Sequence, residues 1–200
     1  MSLIGKHGHK KPSFIAVILA GGRSSRMGKD KSALLRPDGG TQLEFMVHCA
    51  EAAGAEQVLI SGKTLTGYTS VKDQHPDNGP LAGIEAALDW LLNNRADSAE
   101  TRLLVLPCDL PYFTPEAIAD LLEHHGSCAY EDSFLPCAIA EPAFALTQLR
   151  ELLKAQQANI GKASMKRFLA TVSACLLRNT HQASLKNVNF YSDWEIFLNS

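Results

Sequence analysis

Hydrophobic positions follow two rhythms along this chain. Residues 14–20 form a continuous apolar run, the pattern of a parallel strand buried on both faces. Further strands are predicted at 57–61 and 102–107, the latter rich in Leu and Val. Between the first two, Leu43, Met46, Val47 and Ala50 recur at helical spacing and predict a core-facing helix. Thr41 and Glu44 have the capping-box spacing that opens it, and Gly54 is placed to close it in a left-handed conformation. Gly79-Pro80-Leu81-Ala82-Gly83 leads into a second helix that runs to about Leu92. Thr114-Pro115-Glu116 supplies a cap, a first-turn proline and a first-turn acid for a third. Beyond Gly126 the pattern predicts strands at 127–130 and 134–140 around a Glu131-Asp132 turn, then a helix over 143–155 and a strand over 171–177. A short terminal helix follows the capping-box spacing of Ser192-Asp193-Trp194-Glu195.

Strands that alternate with helices predict an α/β architecture around a mostly parallel sheet with right-handed crossovers. The loops leaving the strands at 14–20, 57–61 and 102–107 then open on one sheet edge, where α/β proteins bind ligands. With 200 residues and no internal repeat, one domain over 14–200 is expected, preceded by a mobile tail at 1–13. That tail lacks the apolar stretch of about 7 to 15 residues that marks a secretory signal. No apolar segment reaches the length of a membrane span, so a soluble, cytoplasmic protein is expected. Lys and Arg number 19 against 21 Asp and Glu, which gives no general reason to expect nucleic acid or an anionic membrane as a partner. The cysteines at 49, 108, 128, 137 and 175 are odd in number and contain no C-x-x-C pair, which favours reduced thiols. Cys128 and Cys137 with His124 and His125 match no familiar zinc spacing.

Chemistry concentrates where the first strand ends. Leu19-Ala20-Gly21-Gly22-Arg23-Ser24-Ser25-Arg26-Met27-Gly28-Lys29-Asp30-Lys31 turns an apolar strand directly into a glycine-rich, basic loop. Glycines let backbone N–H groups approach phosphate oxygens, and Arg26 and Lys31 are placed to neutralise them, with Lys29 ranked below. A Walker A loop does not fit, because five residues separate Gly22 from Gly28 and Asp30 stands where a hydroxyl is needed for magnesium. The dinucleotide pattern G-x-G-x-x-G is absent as well. Asp109 follows directly on a predicted strand, where it either bridges Mg²⁺ to phosphate oxygens or stabilises a turn before Leu110-Pro111; coupling to the first loop favours the metal. Asp73 is either a solvated loop acid or an acceptor for the N1 and N2 protons of guanine.

L-A-G-G-x-S-x-R-M-G-x-D-K resembles the signature loop of nucleotidyltransferases that activate phosphorylated compounds with a nucleoside triphosphate. Together with Gly79-Pro80-Leu81-Ala82-Gly83, Cys108-Asp109-Leu110-Pro111 and Asn187-Val188-Asn189, in that order along nearly the whole chain, it looks like the molybdenum cofactor guanylyltransferase family. The resemblance implies a Rossmann-like three-layer nucleotidyltransferase fold. It also implies transfer of GMP from GTP to the terminal phosphate of molybdopterin cofactor, with Mg²⁺ and release of pyrophosphate. Arg26, Lys31 and Asp109 would be catalytic and Asp109 the metal ligand. Leu19, Ala20, Gly21, Gly22, Lys31, Ser61 and Gly79 would lie on the nucleotide and Asp73 on its base, with Asn187 and Asn189 near the acceptor or metal. Molybdenum-insertion proteins and molybdoenzyme chaperones are the implied partners. Three places depart from the family pattern: Ser61 stands where the asparagine after the second strand is usual, Phe190-Tyr191-Ser192-Asp193-Trp194 replaces T-P-E-[DE]-L, and Leu135-Pro136-Cys137 matches the proline-threonine element only loosely. Competing readings are a cytidylyl transferase, an enzyme activating a sugar or alcohol phosphate, and a nucleotide-binding adaptor that has lost catalysis.

Overall fold

The computed structural model describes residues 13–21, 30–73, 75 and 78–200. The expected tail, but for Ser13, lies outside the described residues, and so do Gly22, Arg26 and Lys29. The element order is β1 (Phe14–Leu19), α1 (Gln42–Ala52), β2 (Val58–Ser61), β3 (Thr69–Val71), α2 (Pro80–Asn94), β4 (Arg102–Pro107), α3 (Pro115–Glu123), β5 (Cys128–Tyr130), β6 (Ser133–Ile139), α4 (Pro142–Gln157), α5 (Met165–Thr171), β7 (Cys175–Leu177) and α6 (Tyr191–Leu198). A 3-10 turn over Lys31–Ala33 precedes α1. The seven strands form one sheet in the order β3-β2-β1-β4-β6-β5-β7. β1 to β4 run parallel, β6 is antiparallel to both neighbours, and β7 is parallel to β5.

β1 shows why the apolar run is continuous. Phe14, Ala16, Ile18 and Ala20 point into the layer beneath α1 and α3. Ile15 and Val17 point into the opposite layer, beneath α2, α4 and α5. A strand with helices on both faces has no polar side to show, and the result is the expected three-layer α/β fold.

Local signals hold where their hydrogen bonds form. Thr41 accepts from the Glu44 backbone N–H at 3.2 Å, and the Glu44 carboxylate accepts from Thr41 N–H at 2.7 Å, completing the capping box. Gly54 takes φ +94° just beyond α1. Thr114 precedes α3 without a side-chain bond to its N–H groups; its hydroxyl instead bonds the Glu116 carboxyl and helps hold it below the usual carboxylate range.

The prediction for 171–177 is corrected by a short helix, α5, in its first part. Ser164 caps α5, accepting from Arg167 N–H at 3.3 Å, and Ser173 at φ +52° turns the chain into β7. At the last helix Asp193, rather than Glu195, accepts the entering N–H groups, from Asn189 at 3.1 Å and Phe190 at 2.9 Å. Cys128 and Cys137 sit on opposite faces of the sheet, in different apolar layers. No described helix is long and apolar enough to cross a membrane.

Candidate active site

Register brings three strand ends together, since Leu19 of β1 pairs with Ser61 of β2 on one side and Pro107 of β4 on the other. The exits of β1 and β2 touch there. A Cβ on Gly21 would lie 2.9 Å from Gly62 Cα, so a side chain at Gly21 would force the two loops apart. α2 presses on the same edge: a Cβ on Gly83 would lie 2.5 Å from Ser61 Oγ and 2.6 Å from Leu19 Cδ2. Gly83 therefore serves helix-to-sheet packing. Gly79 differs, for open space surrounds it and its need is conformational, φ +55° at the start of α2.

A cavity of about 840 Å³ opens on this edge, within the range of small-molecule sites. Leu19, Ala20, Gly21, Lys31, Gly79, Asp109 and Asn187 line it, which brings seven of the sequence-predicted residues to one place. At its centre the Lys31 ammonium donates to Asp109 Oδ2 at 3.2 Å and to the Val188 carbonyl at 2.5 Å. Val188 N–H in turn donates to the Asp109 carbonyl at 2.9 Å. The late N-V-N segment is thus tied twice to the end of β4, once through backbone and once through Lys31. Neither charged side chain is deeply buried, with 21% of Lys31 and 27% of Asp109 exposed.

Asp30 sets the direction of Lys31. Its carboxylate accepts from Ser32 N–H at 3.1 Å and Ser32 Oγ at 2.7 Å, which closes the 3-10 turn, and it pairs with Lys63 at 2.5 Å. Burial favours its neutral form, but the bonds from Lys63 and Ser32 outweigh that and leave the carboxyl below the usual range. α6 supports the same region from behind. Trp194 and Phe197 pack with Leu34 and Val188, and Arg36 lies between the rings of Phe45 and Phe197, 3.5 and 4.9 Å from their centroids.

Ser61, Asp73 and Asn189 do not line the cavity. Ser61 is buried behind its wall and donates through Oγ to Asp73 Oδ1 at 2.8 Å. Asn189 donates its backbone N–H to Asp193. Cys108 does line the cavity, but burial pushes its thiol up to about 12, with Asp109 adding to the shift, so it stays protonated and is no nucleophile.

Sequence reasoning missed the far half of the cavity, where Asp132, Ser133, Asn179 and Gln182 complete the wall. Asn179 Nδ2 donates to both Asp132 oxygens, at 2.8 and 3.1 Å. The one available signal was Asp132 in the predicted hairpin turn.

The donor set also bears on a divalent cation. Among the described residues no group of three His, Cys, Asp or Glu gathers to hold a metal, so a closed protein cage is not offered here. Asp109, which lines the cavity as Asn187 does, suits a hard cation that completes its shell from phosphate oxygens and water.

The family model for the MobA-like NTP transferase domain matches residues 16–178. A molybdenum cofactor guanylyltransferase of Xanthomonas euvesicatoria pv. vesicatoria is 35% identical over 183 residues, covering 89% of this chain and 90% of that protein. A probable molybdenum cofactor guanylyltransferase of Opitutus terrae is 34% identical over 166 residues, 78% and 77% of the two chains. Among solved structures, molybdopterin-guanine dinucleotide biosynthesis protein A from Archaeoglobus fulgidus superposes with a TM-score of 0.69 at 18% identity, over 92% of this chain and 96% of that one. Its likeness speaks for the fold alone. A match over most of the chain, a relative at 35% identity over nine-tenths of both proteins, and the phosphate-side geometry converge: this chain belongs to the family of MobA-like NTP transferases.

Proposed function

We propose that this protein transfers GMP from GTP to the terminal phosphate of molybdopterin cofactor, with Mg²⁺, to form the guanine dinucleotide cofactor and pyrophosphate. A terminal phosphate oxygen of the acceptor attacks the α-phosphorus, the bond from that phosphorus to the α,β-bridging oxygen breaks, and pyrophosphate leaves with the electron pair. The observation that carries the reading is the Lys31–Asp109–Val188 junction in the cavity at the strand ends, in a chain matched over 89% of its length by a guanylyltransferase.

Positioning and charge neutralisation carry such a transfer. Lys31 is drawn from Asp109 toward the phosphates as the triphosphate enters, and Arg26 adds a second cation from the same loop. Asp109 holds the magnesium ion, which when bound offsets phosphate charge and orients the α-phosphate. Leu19, Ala20, Gly21, Gly22 and Gly79 shape the nucleotide's bed. Asp73 has Oδ1 engaged by Ser61, and its remaining lone pairs meet the N1 and N2 protons of guanine. Asn187 faces the acceptor side, with Asn189 two residues on and outside the cavity lining, and the far wall of Asp132, Ser133, Asn179 and Gln182 suits the neutral, hydrogen-bonding ring of a pterin. A second polyanion there would meet the Asp132 carboxylate.

This reading carries with it a cytoplasmic setting, molybdenum-insertion proteins and molybdoenzyme chaperones as partners, and a single catalytic domain over 14–200. Pyrophosphate release tests it: the protein should release pyrophosphate from GTP only when molybdopterin cofactor and magnesium are both supplied. Release that ignores the cofactor, or none at all with both present, contradicts it.

A further inference from the structure

Glu85 lies in α2 with 2% of its side chain exposed, among Leu81, Ala82, Ile84, Ala86 and Leu88, all of them buried. An ionised carboxylate in such surroundings must be paired. Its Oε2 lies 2.8 Å from His75 Nδ1 and its Oε1 accepts from Arg150 Nε of α4 at 3.2 Å. Arg150 reaches on to Asp89 at 2.6 Å. None of these four residues lines the cavity, so the network does not serve the phosphates directly.

What it holds between β3 and α2 is His75. Asp73 at one end is bonded by Ser61 at 2.8 Å. His75 is bonded by Glu85. The Asn78 side chain accepts from Gln156 of α4, and Gln156 Oε1 accepts from Ala163 N–H at 2.7 Å. Gly79 follows and lines the cavity. Asp73, His75 and Asn78 are thus each tied to the body of the fold, His75 through a carboxylate that is almost fully buried.

We infer that Glu85, acting through His75, is a positioning residue for base selection: together with the Asn78–Gln156 bond it holds His75 and Asn78, neighbours of Asp73 along the chain, so that the Asp73 carboxylate meets the nucleotide's base at one place. The inference rests on the proposed nucleotidyl transfer in that Asp73 faces the base, whichever base that is.

His75→Ala tests it, because the loss leaves Arg150 on Glu85 and does not strand the buried carboxylate, whereas Glu85→Ala risks unfolding. GTP, CTP, ATP and inorganic tripolyphosphate are titrated into the parent and the variant, with a thermal melt of each. The variant should melt within a few degrees of the parent and bind tripolyphosphate equally. Its ratio of affinities between the favoured nucleotide and the others should fall by about tenfold, the scale of one misplaced polar contact. A variant that keeps the parent's ratios overturns the inference, and so does one that loses tripolyphosphate in the same proportion. A parent that favours CTP contradicts guanylyl transfer while the role of Glu85 still stands on the ratio. A parent with no preference overturns both.

Discussion

At the scale of single residues, Lys31 and Asp109 oppose each other in a way that separates their roles. Their bond, at 3.2 Å and partly exposed, is worth at most about 1 kcal/mol, so neither side chain is retained for stability. Lys31→Ala should leave the melting temperature nearly unchanged, weaken triphosphate binding, and slow transfer by about 100-fold, as loss of a charged contact to a reacting group does. Turnover equal to the parent's at saturating and subsaturating GTP would remove Lys31 from the site. Asp109→Asn should act oppositely on binding. Without divalent cation the carboxylate repels phosphates, so the amide variant should bind GTP at least as well as the parent. With magnesium its turnover should be lost, because the amide keeps the shape and sheds the charge the cation requires. A parental magnesium dependence in Asp109→Asn would reduce that residue to a turn former.

Among the elements, α2 carries the most demanding fit. Gly83→Ala would place a methyl 2.5 Å from Ser61 Oγ and 2.6 Å from Leu19 Cδ2, and overpacking of that kind costs about 1–3 kcal/mol. The urea midpoint should fall accordingly, and base preference should weaken with it, because Ser61 is the partner of Asp73. At α1, Thr41→Ala removes a cap worth about 1 kcal/mol and, since Thr41 does not line the cavity, should lower the urea midpoint without touching nucleotide affinity.

The elements also differ in how far they were legible beforehand. β1 and β4 were readable to within a residue because burial on both faces writes an unbroken apolar run. β3 was not, since its three residues lie at the sheet edge with only Val71 buried. Residues 171–177 misled because Thr171 and Val172 are β-branched, while the Ser164 cap and the turn at Ser173 decide the local path. On the phosphate side, dense glycine and charge left a signature. The wall of Asp132, Ser133, Asn179 and Gln182 left little beyond Asp132 in a predicted turn, for these are ordinary polar residues made neighbours by strand order.

At the scale of the whole molecule, that strand order gathers distant parts of the chain around one cavity. The parallel strands β1, β2 and β4 deliver Gly21, Ser61 and Asp109 to one sheet edge. β6 then runs antiparallel to β4, so its beginning, with Asp132 and Ser133, returns to that edge. β7 runs parallel to β5 and sends residues 179–187 the same way. α6 closes the assembly by packing Trp194 and Phe197 on Val188 and Leu34, which ties the end of the chain to the turn that carries Lys31. The cavity wall is therefore built from different halves of the chain, with Asp109 bonded to Lys31 of the first and Val188 of the second. The most direct test offers the magnesium-loaded protein all four nucleoside triphosphates at equal concentration together with molybdopterin cofactor, and reads by mass which nucleotide is joined to the cofactor. GMP joined to molybdopterin, with an equal yield of pyrophosphate, is the predicted result; CMP in its place, or unmodified cofactor after prolonged incubation, would contradict it.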